Sequence, residues 1–176
     1  MLTRILDVVV LLLLAAIVVL PRPDVKVQPL LRVDAGQRDR VAELQTTLLA
    51  APGAAAPALE LADIFLDARH PDWALAALSG ALAAHPNDHR LLSRRSLALA
   101  DFLQAPAAYQ AATRALELCR TGSAAPCGEG ERSRLELLVA TLEHVKDIDM
   151  RSDPNTAKER ILKVLRPTYL PQPRRK

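Results

Sequence analysis

Aromatic side chains are nearly missing from this chain: one tryptophan, two tyrosines and two phenylalanines in 176 residues. Glycine is scarce as well, at six. A sheet protein draws on β-branched and aromatic residues, so this composition, rich in alanine and leucine, excludes a β-rich fold and favours closely packed helices. The expected fold class is all-α. Catalytic signatures are missing too. The glycines form no phosphate-binding loop, no H-E-x-x-H occurs, and Ser79-Gly80 lacks the setting of a nucleophile elbow. No enzyme, cofactor or small-molecule substrate is expected. Only two cysteines are present, Cys119 and Cys127. They lack the C-x-x-C pairs of a structural zinc site and the C-x-x-C-H of covalent haem attachment. His85 and His89 straddle Pro86 and cannot share a helical face, so no metal site is expected from them.

A long hydrophobic run opens the chain. "ILDVVVLLLLAAIVVL", residues 5 to 20, is apolar apart from Asp7 and, with Met1 and Leu2, approaches the roughly 20 residues that cross a bilayer. No small-x-small cleavage site follows closely, so residues 1–21 are expected to be an uncleaved anchor rather than a signal peptide. Residues 22–36 read as an extended linker. The charge count after the anchor (Arg22, Lys26, Arg32, Arg38, Arg40) favours a cytoplasmic domain by the positive-inside rule. The cysteines argue the other way: "CRTGSAAPC" is a small-residue loop able to bring the thiols together, and a disulfide implies an oxidising compartment. The expected location is a single-pass inner-membrane protein with a periplasmic domain. A cytoplasm-facing adaptor is the alternative.

The region from 37 to 150 repeats itself at a fixed offset. Ala74 falls on Ala108, Ala77 on Ala111, Ala81 on Ala115, Leu82 on Leu116 and Asp67 on Asp101, while Pro52 falls on Pro86. A period of about 34 residues is the mark of stacked helical units. The pattern resembles the tetratricopeptide repeat. Leu61, Ala62, Phe65, Ala74, Leu78, Ala81 and Pro86 match it over residues 55–88. Residues 89–122 match less fully, with Arg95, Ala112 and Arg120 at three of the corresponding places. Residues 37–52 read as a second helix without its first. The alanines are expected to let helix backbones approach, and Trp73 to brace the unit's edge. Asn87 or Asp88 is placed to cap the next helix. Beyond them, residues 130–149 place Leu135, Leu138, Val139, Leu142 and Val145 in one apolar stripe suited to capping the array. Asp153 and Pro154 then mark the start of a short helix at 155–165.

The resemblance implies a surface for another protein, lined by the first helix of each unit. Its candidates are Leu59, Asp63, Leu66 and Asp67 in the first unit and Arg90, Ser93, Leu97 and Asp101 in the second. Members that clamp a terminal carboxylate use lysine and asparagine in that groove. Here Asp63, Asp67 and Asp101 would repel one, and a basic or mixed ligand is expected. From Pro154 to the end the chain carries seven basic residues and one acid, so the whole chain's +3 leaves the remainder at −3. Three prolines among residues 167–173 favour an extended tail, with Tyr169 and Leu170 as an apolar anchor and Arg174, Arg175 and Lys176 as a cationic end. The partners expected are subunits of a membrane complex, with no nucleic acid. A second resemblance is to the membrane helix of proton-channel subunits in the TonB and Tol energising systems. It rests on "TRILDVVVLLLL" and would make Asp7 a proton carrier.

Overall fold

The computed structural model describes residues 35–122 and 126–169. Seven helices follow one another there: α1 (Ala35–Ala50), α2 (Ala55–Asp67), α3 (Pro71–Ala84), α4 (His89–Asp101), α5 (Ala105–Thr121), α6 (Glu129–Glu143) and α7 (Pro154–Tyr169). No strand occurs among the described residues, and this part of the chain is all-α. The expected anchor at 1–21 with Asp7, nearly all of the linker, and Leu170, Arg174, Arg175 and Lys176 lie outside the described residues. Among those described, no helix is long and apolar enough to cross a membrane.

Each helix packs on the next in sequence, and α2 also lies against α4. Turns of three or four residues separate α1 to α5, short enough to force each to fold back on its predecessor. The period of the sequence reappears in these turns. After α2, the amide of Arg69 donates to the Leu66 carbonyl (3.0 Å) and that of His70 to Phe65 (2.8 Å). After α4, Leu103 donates to Ala100 (2.9 Å) and Gln104 to Leu99 (2.8 Å). The residue at the bend is left-handed in both, with φ 62° at Arg69 and 63° at Leu103. This is the bonding that glycine usually permits at a helix C-terminus; an L-residue there bears a cost of about 1 kcal/mol.

Helix starts follow local chemistry. Pro71 occupies the first turn of α3 and Pro106 that of α5, where a missing N–H costs nothing. Asp88 caps α4 by accepting the Arg90 amide (2.9 Å), and Asp153 caps α7 by accepting the Thr156 amide (3.1 Å). Pro86 ends the last turn behind α3. Arg120 stands at the matching position in α5, which continues to Thr121 and closes on Gly122 with φ 80°. The added turn carries Cys119, which stands at disulfide distance from Cys127, Cα–Cα 5.3 Å.

The alanines expected to pack do so: Ala74, Ala81, Ala108 and Ala115 are all fully buried. Around them, Leu99, Leu142, Val145, Met150 and Ala157 form one core cluster, and Leu92, Leu116, Leu118 and Leu135 a second. Trp73 is half-buried, edge-on to Phe65 (5.4 Å between centroids) and stacked on His70 (5.0 Å), bracing α2 against α3. The apolar stripe of α6 continues past the helix end at Glu143, with Val145 buried in the following turn. One expectation needs correction. α7 does not stop at 165 but passes through Pro167 to Tyr169, so the first residues of the expected extended tail are helical. Ala157 and Ile161 anchor the helix on the first core cluster, and a proline this close to the helix end removes only one backbone hydrogen bond.

Two outcomes follow for stability, both measured by urea unfolding with Trp73, the single tryptophan, as fluorescent reporter. A Cβ on Gly80 would lie 2.5 Å from the Pro52 carbonyl oxygen and 3.1 Å from its carbon. Gly80→Ala gains about 1 kcal/mol of helix propensity but forces the α1–α2 turn away from α3. The overpacking cost of about 1–3 kcal/mol outweighs the gain, and a net loss of stability is expected. A more stable variant would show that the turn gives way freely. At the left-handed bend the opposite sign holds. Arg69→Gly should be more stable than Arg69→Ala by about 1 kcal/mol, because both lose the same exposed side chain and only one relieves the backbone. Equal midpoints would place the strain elsewhere.

Candidate interaction surface

α2 and α4 are both 13 residues long, and they begin one period apart, so their exposed faces run side by side. Four of the eight sequence-derived candidates converge there: Leu66 and Asp67 of α2 with Leu97 and Asp101 of α4, around a depression of about 280 Å³ that Arg69 completes. Leu97 is 38 % exposed, a large apolar side chain in contact with water. Asp67 and Asp101 are exposed on the same rim, and the Arg69 guanidinium stands 3.7 Å from Asp101.

The other four do not line this depression. Asp63 is engaged across the two units: Arg94 of α4 forks onto it, Nε to Oδ1 and Nη2 to Oδ2 at 3.2 Å. Arg90 is drawn back onto the helix cap, with its Nη2 2.7 Å from Asp88 Oδ2. Ser93 is buried at 7 % exposure, on the inward side of α4, and is withdrawn from any groove. Leu59 is half-buried on α2. Two of the three aspartates expected to repel a terminal carboxylate thus have arginine partners. Arg94 neutralises Asp63 and Arg69 faces Asp101, so the face is a mosaic of both signs around two leucines.

Arg69 and Arg94 escaped the sequence reading because each finds its partner in the other unit of the repeat, far outside any helical period. A second surface was missed as well. Leu48 and Leu49 of α1, Pro52, Leu61 and Phe65 of α2, Trp73, Ala76 and Ala77 of α3 line an apolar groove of about 530 Å³, and Leu49 is 84 % exposed. The signal was present: two consecutive leucines cannot both face one core. The tail candidates are divided. Tyr169 ends α7, while Leu170, Arg174, Arg175 and Lys176 lie outside the described residues.

Cys119, Cys127 and the start of α4 meet at the far end of α5. The His89 ring is fully buried, its Nε2 3.3 Å from Glu131 Oε2. Beside it, burial pushes the Asp88 carboxyl up, but the Arg90 guanidinium and amide together outweigh this and hold it below the usual carboxylate range. Asp88 thus contributes stability that is complete above its unfolded value near pH 4 and is lost as pH falls through the lower folded value. Asp88→Asn keeps a capping oxygen and loses the charge. It should cost about 1 kcal/mol at neutral pH, and the gap to wild type should close below about pH 4. A gap independent of pH in urea unfolding would assign the effect to packing instead.

Set against protein-family models, curated proteins and solved structures, the chain matches none of them.

Proposed function

We propose that this chain is a single-pass, membrane-anchored scaffold whose helical array resembles the tetratricopeptide repeat and binds another protein subunit of a membrane complex through the α2–α4 face. The observation that carries the reading is the recurrence, one period apart, of the same turn bonding and the same left-handed bend, which aligns two first helices into one continuous face. Such a face suits an extended segment of a partner, because its units repeat at a fixed spacing while the side chains on it vary. The ligand class that fits is mixed: apolar side chains against Leu66 and Leu97, with a cation against Asp67.

The anchor is residues 1–21, and the domain faces the periplasm. Two features support that placement: the apolar run of the sequence, and a cysteine pair at disulfide distance, which persists as a disulfide in an oxidising compartment. The basic C-terminal residues, Arg174, Arg175 and Lys176, extend the contact to an acidic patch on the same complex. The role is one of positioning, with no chemical turnover.

Photo-crosslinking in cells tests the reading on the full-length chain. A benzophenone amino acid at Leu97 should give a discrete adduct with a membrane-complex subunit, and one at Arg134, exposed on α6, should not. The same probe at Leu66 should capture the same partner. No adduct from Leu66 or Leu97 in the membrane fraction, or adducts equally strong from Arg134, would reject the face.

A further inference from the structure

Four side chains able to bind a soft divalent cation converge at the junction of α4, α5 and α6, although no two lie in a familiar sequence spacing. His89 is the first residue of α4, Cys119 lies in the last turn of α5, Cys127 is in the loop that follows, and Glu131 is in the first turn of α6. The ligating atoms of His89, Cys127 and Glu131 all lie within 4.8 Å of one another. Cys119 stands at disulfide distance from Cys127, so its sulfur lies beside that of Cys127 at the edge of this cluster. His89 is fully buried, Cys119 is 4 % exposed, and Cys127 and Glu131 are half-buried. The cluster is thus shielded from water on the side of His89 and Cys119 and partly exposed at Cys127 and Glu131.

We propose that this junction is a redox-gated zinc site, a disulfide when oxidised and a Cys119–Cys127–His89–Glu131 zinc centre when reduced. The His89–Glu131 separation fits the metal. Two ligands at about 2.0–2.2 Å from a tetrahedral zinc ion stand about 3.3–3.5 Å apart, and His89 Nε2 and Glu131 Oε2 are 3.3 Å apart. Two thiolates on one zinc need a separation of about 3.8 Å. Cysteines whose Cα atoms are 5.3 Å apart reach it by rotation about χ1 once the S–S bond is broken. Two cysteines, one histidine and one carboxylate form a closed, four-ligand set of the structural kind.

Charge also balances. Two thiolates and a carboxylate on a divalent ion, with neutral imidazole, leave one negative charge. Arg90 lies within Coulombic reach of Glu131 and offsets it, while remaining fixed by Asp88. The gate runs on thiol exchange. A dithiol reductant gives two electrons and two protons to the Cys119–Cys127 bond and becomes a disulfide itself. Zinc then binds the two thiols as thiolates and releases both protons. Loss of zinc restores the thiols, and a disulfide oxidant of the same class closes the S–S bond again. Metal and disulfide are therefore exclusive. The disulfide ties α5 to its own loop, whereas the ion would tie three helices together.

The test uses the full-length chain in detergent, reduced with dithiothreitol, freed of it under nitrogen, and dialysed against zinc alone. One zinc per chain is expected after reduction, with at least 100-fold weaker uptake by the disulfide form. Cobalt in its place should show the visible bands of a tetrahedral site with two thiolates. Because His89 is buried and its loss could unfold the chain, the diagnostic variants are Glu131→Gln and Cys127→Ser, with circular dichroism to verify folding. Each should weaken zinc at least tenfold. A reduced, folded chain that takes up no stoichiometric zinc overturns the proposal. So does zinc uptake that is unchanged by Glu131→Gln or by forming the disulfide.

Discussion

Close approach of helix backbones is the constraint on which the rest of this structure depends. Gly80 presents bare backbone to the Pro52 carbonyl, and Ala74, Ala81, Ala108 and Ala115 are buried without filling the space that a leucine would take. Dispersion between near atoms replaces the burial of large aromatics, and a chain with five aromatic residues can still build a dense interior. The larger side chains then fill what remains between helix pairs: Leu78 and Leu91 are fully buried, and Leu135 and Val145 close the region beside α5.

Polar links add direction to this packing more than they add strength. The buried Ser96 hydroxyl donates to the Ala108 carbonyl (2.8 Å), fixing α4 on α5 where the earlier unit has an alanine. Arg40 forks onto Glu60 to join α1 and α2, and Arg120 reaches Glu136 to join α5 and α6 (2.9 Å). Such exposed pairs contribute little each. Their value is in register, since each joins one helix to a particular neighbour.

Much of this was legible in the sequence, for reasons that can be named. The fixed offset of the repeat, the periodic alanines, Asp88 before α4 and Asp153 before α7 are visible without tertiary knowledge, because each depends on spacing along the chain alone. The left-handed bends were not legible. Glycine is the residue that normally announces them, and here Arg69 and Leu103 occupy the bend under tertiary constraint. Pro167 misled in the opposite sense, because docking of Ala157 and Ile161 outweighs a proline near a helix end. At the candidate face, Leu66, Asp67, Leu97 and Asp101 follow from repeat position alone, whereas Ser93 is buried on the inward side of α4. His89 was read beside His85, its neighbour in sequence, and not beside Glu131, its neighbour in space.

The unequal lengths of α3 and α5 set a limit on how far the pattern can propagate. The first helices of the two units are equal, but α5 is three residues longer than α3, an overhang of about 4.5 Å along its axis. A third unit at the same spacing would have to open at position 123, directly after Gly122, with no room for a turn like the one that separates α3 from α4. The overhanging turn therefore acts as a terminator: it breaks the translational order of the repeat from within and hands the chain to α6, which packs as a lid on α5.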